Sequence, residues 1–202
     1  MSNSKHAVAA LATLLLSGIL GSSGQEVALK TNLLFDAMTT PNVGVECNLD
    51  RTHSLQLVYG YNPWKFGDNR EHFAKHWVLM PEFRWWTCTA FNGHFFGIHA
   101  MTGQFDAAKA HLPVPGAFFG GENLTSGVRH SRYEGTFAGI GATYGYQWSL
   151  SRHWNIEFEA GVGYNHVWYD KYKCGECGGK IKKGQTNYAG LTKLGVSILY
   201  LF

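Results

Sequence analysis

The chain has 202 residues, of which 45% are hydrophobic, 15% aromatic and 15% charged. That is apolar enough for one folded domain, yet the charged share lies well below the ~25% of an ordinary soluble domain. Twenty-five glycines against five prolines exclude a collagen-like or disordered chain, and a net charge of +3 without a clustered basic face argues against nucleic acid as a partner.

Residues 1–24 have the layout of a secretory signal. Lys5 supplies a basic start, Ala7 to Leu20 is apolar apart from Thr13, Ser17 and Gly18, and Ser22-Ser23-Gly24 supplies small residues for cleavage before Gln25. Residues 25–202 then form the mature domain. They contain no run of about 18 apolar residues, so no helical membrane span is expected there.

From Val27 onward the chain alternates with a period of two, which is the signature of strands. Val27, Leu29, Thr31, Leu33, Phe35 and Ala37 oppose Lys30, Asn32 and Asp36 in a first segment reaching Ala37. Val43, Val45, Cys47 and Leu49 oppose Gly44, Glu46 and Asn48; Leu55, Leu57, Tyr59 and Tyr61 oppose Ser54, Gln56 and Gly60. The fourth segment sets Trp77, Leu79, Pro81, Phe83 and Trp85 against His76, Met80, Glu82, Arg84 and Trp86. The fifth sets Phe96, Ile98 and Ala100 against Gly97, His99 and Met101. In the sixth, Ile140, Tyr144 and Trp148 oppose Gly139, Gly141 and Gly145. In the seventh, Trp154, Phe158, Val162 and Trp168 oppose Glu157, Glu159 and Asn165. The last opposes Tyr188, Leu194, Val196, Ile198, Tyr200 and Phe202 to Asn187, Lys193, Gly195 and Ser197.

Eight such segments fit a soluble barrel or sandwich with its apolar face inside, or a transmembrane barrel with the faces inverted. Three features favour the second. The apolar faces carry Trp and Tyr near strand ends, as interfacial girdles require. The polar faces combine glycine with charges of both signs (Lys30, Asp36, Glu46, Glu82, Arg84, Glu157, Glu159 and Lys193), which suits a narrow lumen filled by paired side chains. The connections also differ between the two ends. Those near Asp50–His53, Thr89–Gly93 and Ser149–His153 are short, whereas Asn62–Lys75, Asp106–Glu134 and Asp170–Gln185 are long. The expectation is an all-β, eight-stranded antiparallel up-and-down transmembrane barrel in the bacterial outer membrane. Outer-membrane lipid would surround it, and barrel-assembly machinery would recognise its terminal Phe202. A monomer is expected.

Within the lumen, Glu82, Arg84 and at least one of Glu46, Glu157 and Glu159 are expected to pair, because buried charges must be compensated. Eight strands enclose a space that side chains fill, so a conducting pore is not expected. In the last long connection, Cys174-Gly175-Glu176-Cys177 fits a loop disulfide in an oxidising compartment. A single C-x-x-C cannot supply four zinc ligands, although a metal clip with a loop histidine is the alternative. Cys47 and Cys88 are expected to be packing residues, the latter on the lumen side. Lys171, Lys173, Lys180, Lys182 and Lys183 would make a basic rim able to meet acidic lipid headgroups or an acidic partner. Phe118 and Phe119 in the long third connection could anchor a surface protein or pack over the barrel mouth. His76 and His99 near Glu82 and Arg84, with His130-Ser131, are the residues an acyl-transferring or deacylating lipid enzyme would use. No cofactor is called for.

Several stretches resemble a family of uncharacterised outer-membrane barrel proteins of the Bacteroidetes, domain of unknown function 3575. They are Lys30-Thr31-Asn32-Leu33-Leu34-Phe35-Asp36-Ala37, Thr40-Pro41-Asn42, Tyr61-Asn62-Pro63-Trp64, Lys75-His76-Trp77, Pro81-Glu82-Phe83-Arg84 and Phe91-Asn92-Gly93-His94-Phe95-Phe96-Gly97. The resemblance implies an outer-membrane barrel with no established activity. Because such proteins accompany fimbrial components, it also implies a role in assembling surface structures.

Overall fold

A computed structural model describes residues 26–66, 72–108, 131–172 and 179–202. Eight long antiparallel strands run in chain order: β1 (Val27–Asn32), β2 (Asn42–Asn48), β3 (His53–Asn62), β4 (His72–Trp86), β5 (Gly93–Ala108), β6 (Arg132–Ser149), β7 (Trp154–Tyr172) and β8 (Lys180–Leu201). Each pairs with its sequence neighbours, and β1 also pairs with β8, so the sheet closes into a ring. Where β1 and β8 pair, closure removes the free edges that a strand meander otherwise leaves at both ends.

The ring is sheared. The hydrogen-bonding row through Ala28, Glu46, Gln56, Glu82, His99, Gly141 and Gly163 reaches β8 at Gly190 after one circuit. Ala28 itself pairs with Leu201, eleven positions away (190 against 201). Such a stagger tilts strands by roughly 35–45° and turns every row into a rising spiral. β1 ends four residues beyond this row, while β8 continues for ten residues past it. The wall is therefore low at β1 and β2 and tall from β4 to β8.

Where the wall is low, the chain makes a helix, α1 (Leu33–Ala37), instead of the extended strand that alternation predicts. Asn32 starts it by accepting a hydrogen bond from Leu34 N at 3.0 Å. The turn reverses two expected placements. Phe35 points inward over Gly60 and is only 8% exposed, whereas Asp36 stays outside, bonded by Thr31 Oγ1 at 2.8 Å and Asn42 Nδ2 at 3.0 Å. A helical turn has a period of 3.6, so a face assignment carried through with period two fails at once.

A second departure lies in β8. Gly161 pairs with Lys193 but Val162 with Leu191, so Thr192 is an extra residue in a β-bulge. Thr192 and Lys193 are both buried. Above the bulge the faces exchange: Tyr188 pairs with the buried Asn165 and points inward, while Asn187 points outward. The strands also run further than the sequence suggests. β7 and β8 extend through Lys171, Lys180, Lys182 and Lys183, which are therefore strand residues.

The short ends are tight. Between β2 and β3 the Asp50 carboxylate accepts from Thr52 N at 2.7 Å and His53 N at 2.9 Å. The backbone bond from Thr52 and then the side-chain bond with the His53 ring, whose Nδ1 lies 2.8 Å away, hold the Asp50 pKa down at about 2. Between β4 and β5, Phe91 adopts φ 64°, which a non-glycine residue rarely does. Its ring is nonetheless buried, 6.1 Å from Trp86, and its carbonyl accepts from Asn155 Nδ2 at 2.9 Å. Burial and the hydrogen bond hold the unfavourable backbone in place. Cys88 lies in this exposed turn and not on the lumen side.

Candidate functional site

The barrel is inverted relative to a soluble protein. Leu29, Val45, Leu57, Tyr59, Ile98, Ile140, Phe158 and Val162 are each more than 40% exposed on its outer wall. Lys30, Glu46, Glu82, Arg84, His99, Glu157, Glu159 and Lys193 are buried within it.

The buried charges form one network around Arg84. Its Nε donates to Glu82 at 3.0 Å and Nη1 to Glu46 at 2.8 Å and Glu157 at 2.7 Å, while Nη2 donates to Glu159 at 2.6 Å. Lys30 Nζ donates to Glu157 at 2.6 Å and to Gln56 at 2.5 Å. Lys193 pairs with Glu82 and, at 2.9 Å, with Glu159. Ser54 Oγ donates to Glu46 at 2.6 Å and accepts from Trp86 Nε1 at 2.8 Å. Three cations thus meet four carboxylates from β1, β2, β4, β7 and β8. The guanidinium suits the centre because its rigid fork serves several carboxylates at once. Lys30 and Lys193 join the carboxylates that strand alternation sets facing Arg84, and shear brings them within reach.

Glycines on facing strands make room for these long side chains. A Cβ on Gly44 would meet Lys30, one on Gly97 would meet Glu82, and one on Gly195 would meet Glu159. At Gly141 it would lie 2.6 Å from the His99 ring and 2.6 Å from the Val162 carbonyl. Gly141→Val should therefore destabilise the fold by roughly 1–3 kcal/mol through overpacking. Gly179→Val, which meets open space, should leave the unfolding midpoint in detergent unchanged.

The ionic layer is sealed on both sides. Below it, Trp86 packs at a tilt against both Phe91 and Phe95, and the Arg84 guanidinium lies 4.1 Å from the centre of the Phe95 ring. Above it, Phe35, Val58, Val78, Met80, Met101, Phe105, Phe137 and Val167 form an apolar plug inside the barrel. Trp86 and Met101 are lumen residues by alternation. The extent of the apolar plug has no counterpart in the sequence reading, because Phe35 enters it through α1, and Phe137 and Val167 are interior positions in otherwise glycine- and asparagine-rich faces. Beyond the plug, at the loop end, lies a cavity of about 510 Å³ bordered by His76, Phe105, Gly135 and Tyr169.

The histidines do not assemble a relay for acyl transfer among the described residues. His99 contacts Thr143 Oγ1 at 2.8 Å through Nδ1 and Thr192 Oγ1 at 2.9 Å through Nε2, with no carboxylate on either nitrogen. His53 contacts both Thr52 Oγ1, at 3.2 Å, and Asp50, at 2.8 Å, but through the same atom, Nδ1. A relay needs the hydroxyl and the acid on opposite ring nitrogens. His76 Nε2 lies 3.4 Å from Thr40 Oγ1. No group of three or more metal-ligating side chains occurs among the described residues. Residues 1–24, Phe118, Phe119, His130, Lys173, Cys174 and Cys177 lie outside the described residues.

A family described as "protein of unknown function (DUF3575)" matches residues 10–202. The chain belongs to this family. No curated protein matches the chain. The stretches that carry the DUF3575 resemblance fall at the structural junctions of the ring. Lys30 to Ala37 runs from the ionic layer into α1, Pro81 to Arg84 crosses the ionic layer, and Phe91 to Gly97 builds the lower seal.

Proposed function

We propose that this DUF3575 protein is a non-enzymatic outer-membrane barrel that anchors surface loops for interaction or assembly at the cell surface. The observation that carries the reading is the inverted wall, apolar outside and charged inside. On β7 the outward residues Trp154, Ile156, Phe158, Ala160, Val162 and Tyr164 are apolar or aromatic over ten positions. At ~3.3 Å per residue and ~40° of tilt this spans roughly 25 Å, the height of the lipid-facing band of a membrane barrel. Trp148, Trp154 and Tyr200 crowd its lower margin, with Trp154 and Tyr200 5.1 Å apart. Above Tyr164 polar and aromatic outward residues alternate, His166, bonded to Asn187, being followed by the exposed Trp168.

With residues 1–24 removed on export, the short turns face the periplasm and the long connections face outward. A network sealed above and below gives the lumen a bracing role. It ties strands across the ring while the loops meet partners.

Outer-membrane fractionation should recover a protein beginning near Gln25 that migrates anomalously on gels unless heated, because a closed barrel resists detergent. Recovery as a soluble periplasmic protein of that length would overturn the reading. An epitope inserted after Gly179 should be reachable on intact cells, and one within 149–153 only after the outer membrane is opened. Replacing residues 109–130 with a short Gly-Ser linker should preserve heat-modifiable mobility and remove surface association. Retained association would overturn the interaction role and leave the barrel reading standing.

A further inference from the structure

The ring closes only along its lower part. β1 pairs with β8 from Leu201 to Ser197 and ends at Asn32. The Asn32 side chain then continues the ladder for one step, donating to Leu194 O at 3.2 Å and accepting from Val196 N at 3.4 Å. Above this, β8 pairs with β7 alone as far as Lys180. Along 180–191 no residue is buried, and the edge turned away from β7 has no strand beside it among the described residues. An unpaired edge presents a row of backbone donors and acceptors that another strand can satisfy.

The charge along this edge is one-sided. Lys171 and Lys182 sit directly opposite each other, a destabilising arrangement of like charges. Lys180 is neutralised by Asp170 at 2.7 Å. Among the described residues Lys182, Lys183 and Lys171 form no ion pair, and Lys171 Nζ lies 5.5 Å from the centre of the Tyr133 ring. We propose that the free upper edge of β8, Gly184–Leu191 with Lys182 and Lys183 at its outer end, docks an extended, carboxylate-bearing segment of another protein as an added strand.

Two other occupants fit less well. A second copy pairing through the same edge would bring two sets of lysines together. As for lipid, a headgroup can meet the lysines, since Gln185, two positions short of Lys183, pairs with the outward Trp168, but it offers no backbone to satisfy the row of donors and acceptors.

The proposal goes beyond the anchoring role and can fail separately from it. Full-length protein would be placed in phosphatidylcholine nanodiscs and its heat-modifiable mobility confirmed. The probe is a short alternating threonine–valine peptide with a run of glutamates at one end. Saturable binding is expected, together with slower amide exchange over 184–191. Lys182→Glu with Lys183→Glu should weaken binding about tenfold or more while leaving mobility unchanged. Proline at alternate positions of the peptide should abolish binding, because proline cannot donate to a ladder. Equal binding of the proline and glutamate peptides would reduce the edge to a patch of charge and overturn the proposal. Absence of binding by a protein of normal mobility would also overturn it. So would protection of Lys182 and Lys183 from amine modification by phosphatidylglycerol nanodiscs when the peptide does not bind. Loss of heat-modifiable mobility in the unaltered protein would count against the barrel reading instead.

Discussion

Arg84→Leu should lower the stability of the folded barrel by about 3–5 kcal/mol, the usual consequence of removing one partner from a buried ion-pair network. Arg84 donates to Glu46, Glu82, Glu157 and Glu159, all of them buried. Without it, four carboxylates would face only Lys30 and Lys193. Lysine at the same position should recover only part of the loss, since a single ammonium cannot reproduce the planar fork. Lys180→Leu provides the comparison. Its bridge to Asp170 is half exposed, and such pairs contribute within about 0–1 kcal/mol. Urea titration in detergent, followed by the shift in gel mobility, measures both. Equal and small effects would mean that the network does not brace the ring.

Phe95→Ala should destabilise by a similar amount, about 3–5 kcal/mol. The Phe95 ring is fully buried, packs 4.9 Å from Trp86, stacks under Arg84 and fills the space above Gly145. Truncation leaves a void that neighbouring strands cannot collapse into, because the ring sheet fixes their spacing. It also opens the ionic layer to water from below. Phe96→Ala, one residue along, should cost far less. Its side chain is 53% exposed on the outer wall, where lipid or detergent fills the vacated volume and no cavity forms. Comparable losses at the two positions would show that the outer wall is packed against protein.

The pair Phe95 and Phe96 shows how far the sequence reaches. Period-two alternation sends adjacent residues to opposite faces, so the inward side of β5 follows from the order of Ile98 and His99 alone. Glu46, Glu82, Arg84, Glu157, Glu159 and Lys193 were legible as one polar face for the same reason. Alternation carries no information about which strand follows which around a closed ring, or at what height. The eleven-residue stagger supplies that, lifting successive rows so that Glu159 of β7 and Glu46 of β2 reach the same guanidinium.

Local backbone changes set the remaining limit. At Leu33 the chain leaves the strand for α1, because an Asn32 cap is available where the wall ends, and Phe35 turns inward as a result. At Thr192 one inserted residue exchanges the faces of Tyr188 and Asn187 and places a hydroxyl 2.9 Å from His99. Neither event disturbs the composition or the pattern on either side. Hydrophobic periodicity, a property of neighbours along the chain, determined the fold class and the inverted wall. The ionic centre, the apolar plug and the open edge of β8 depend on closure, shear and one bulge, which relate residues distant in sequence and were decided only in three dimensions.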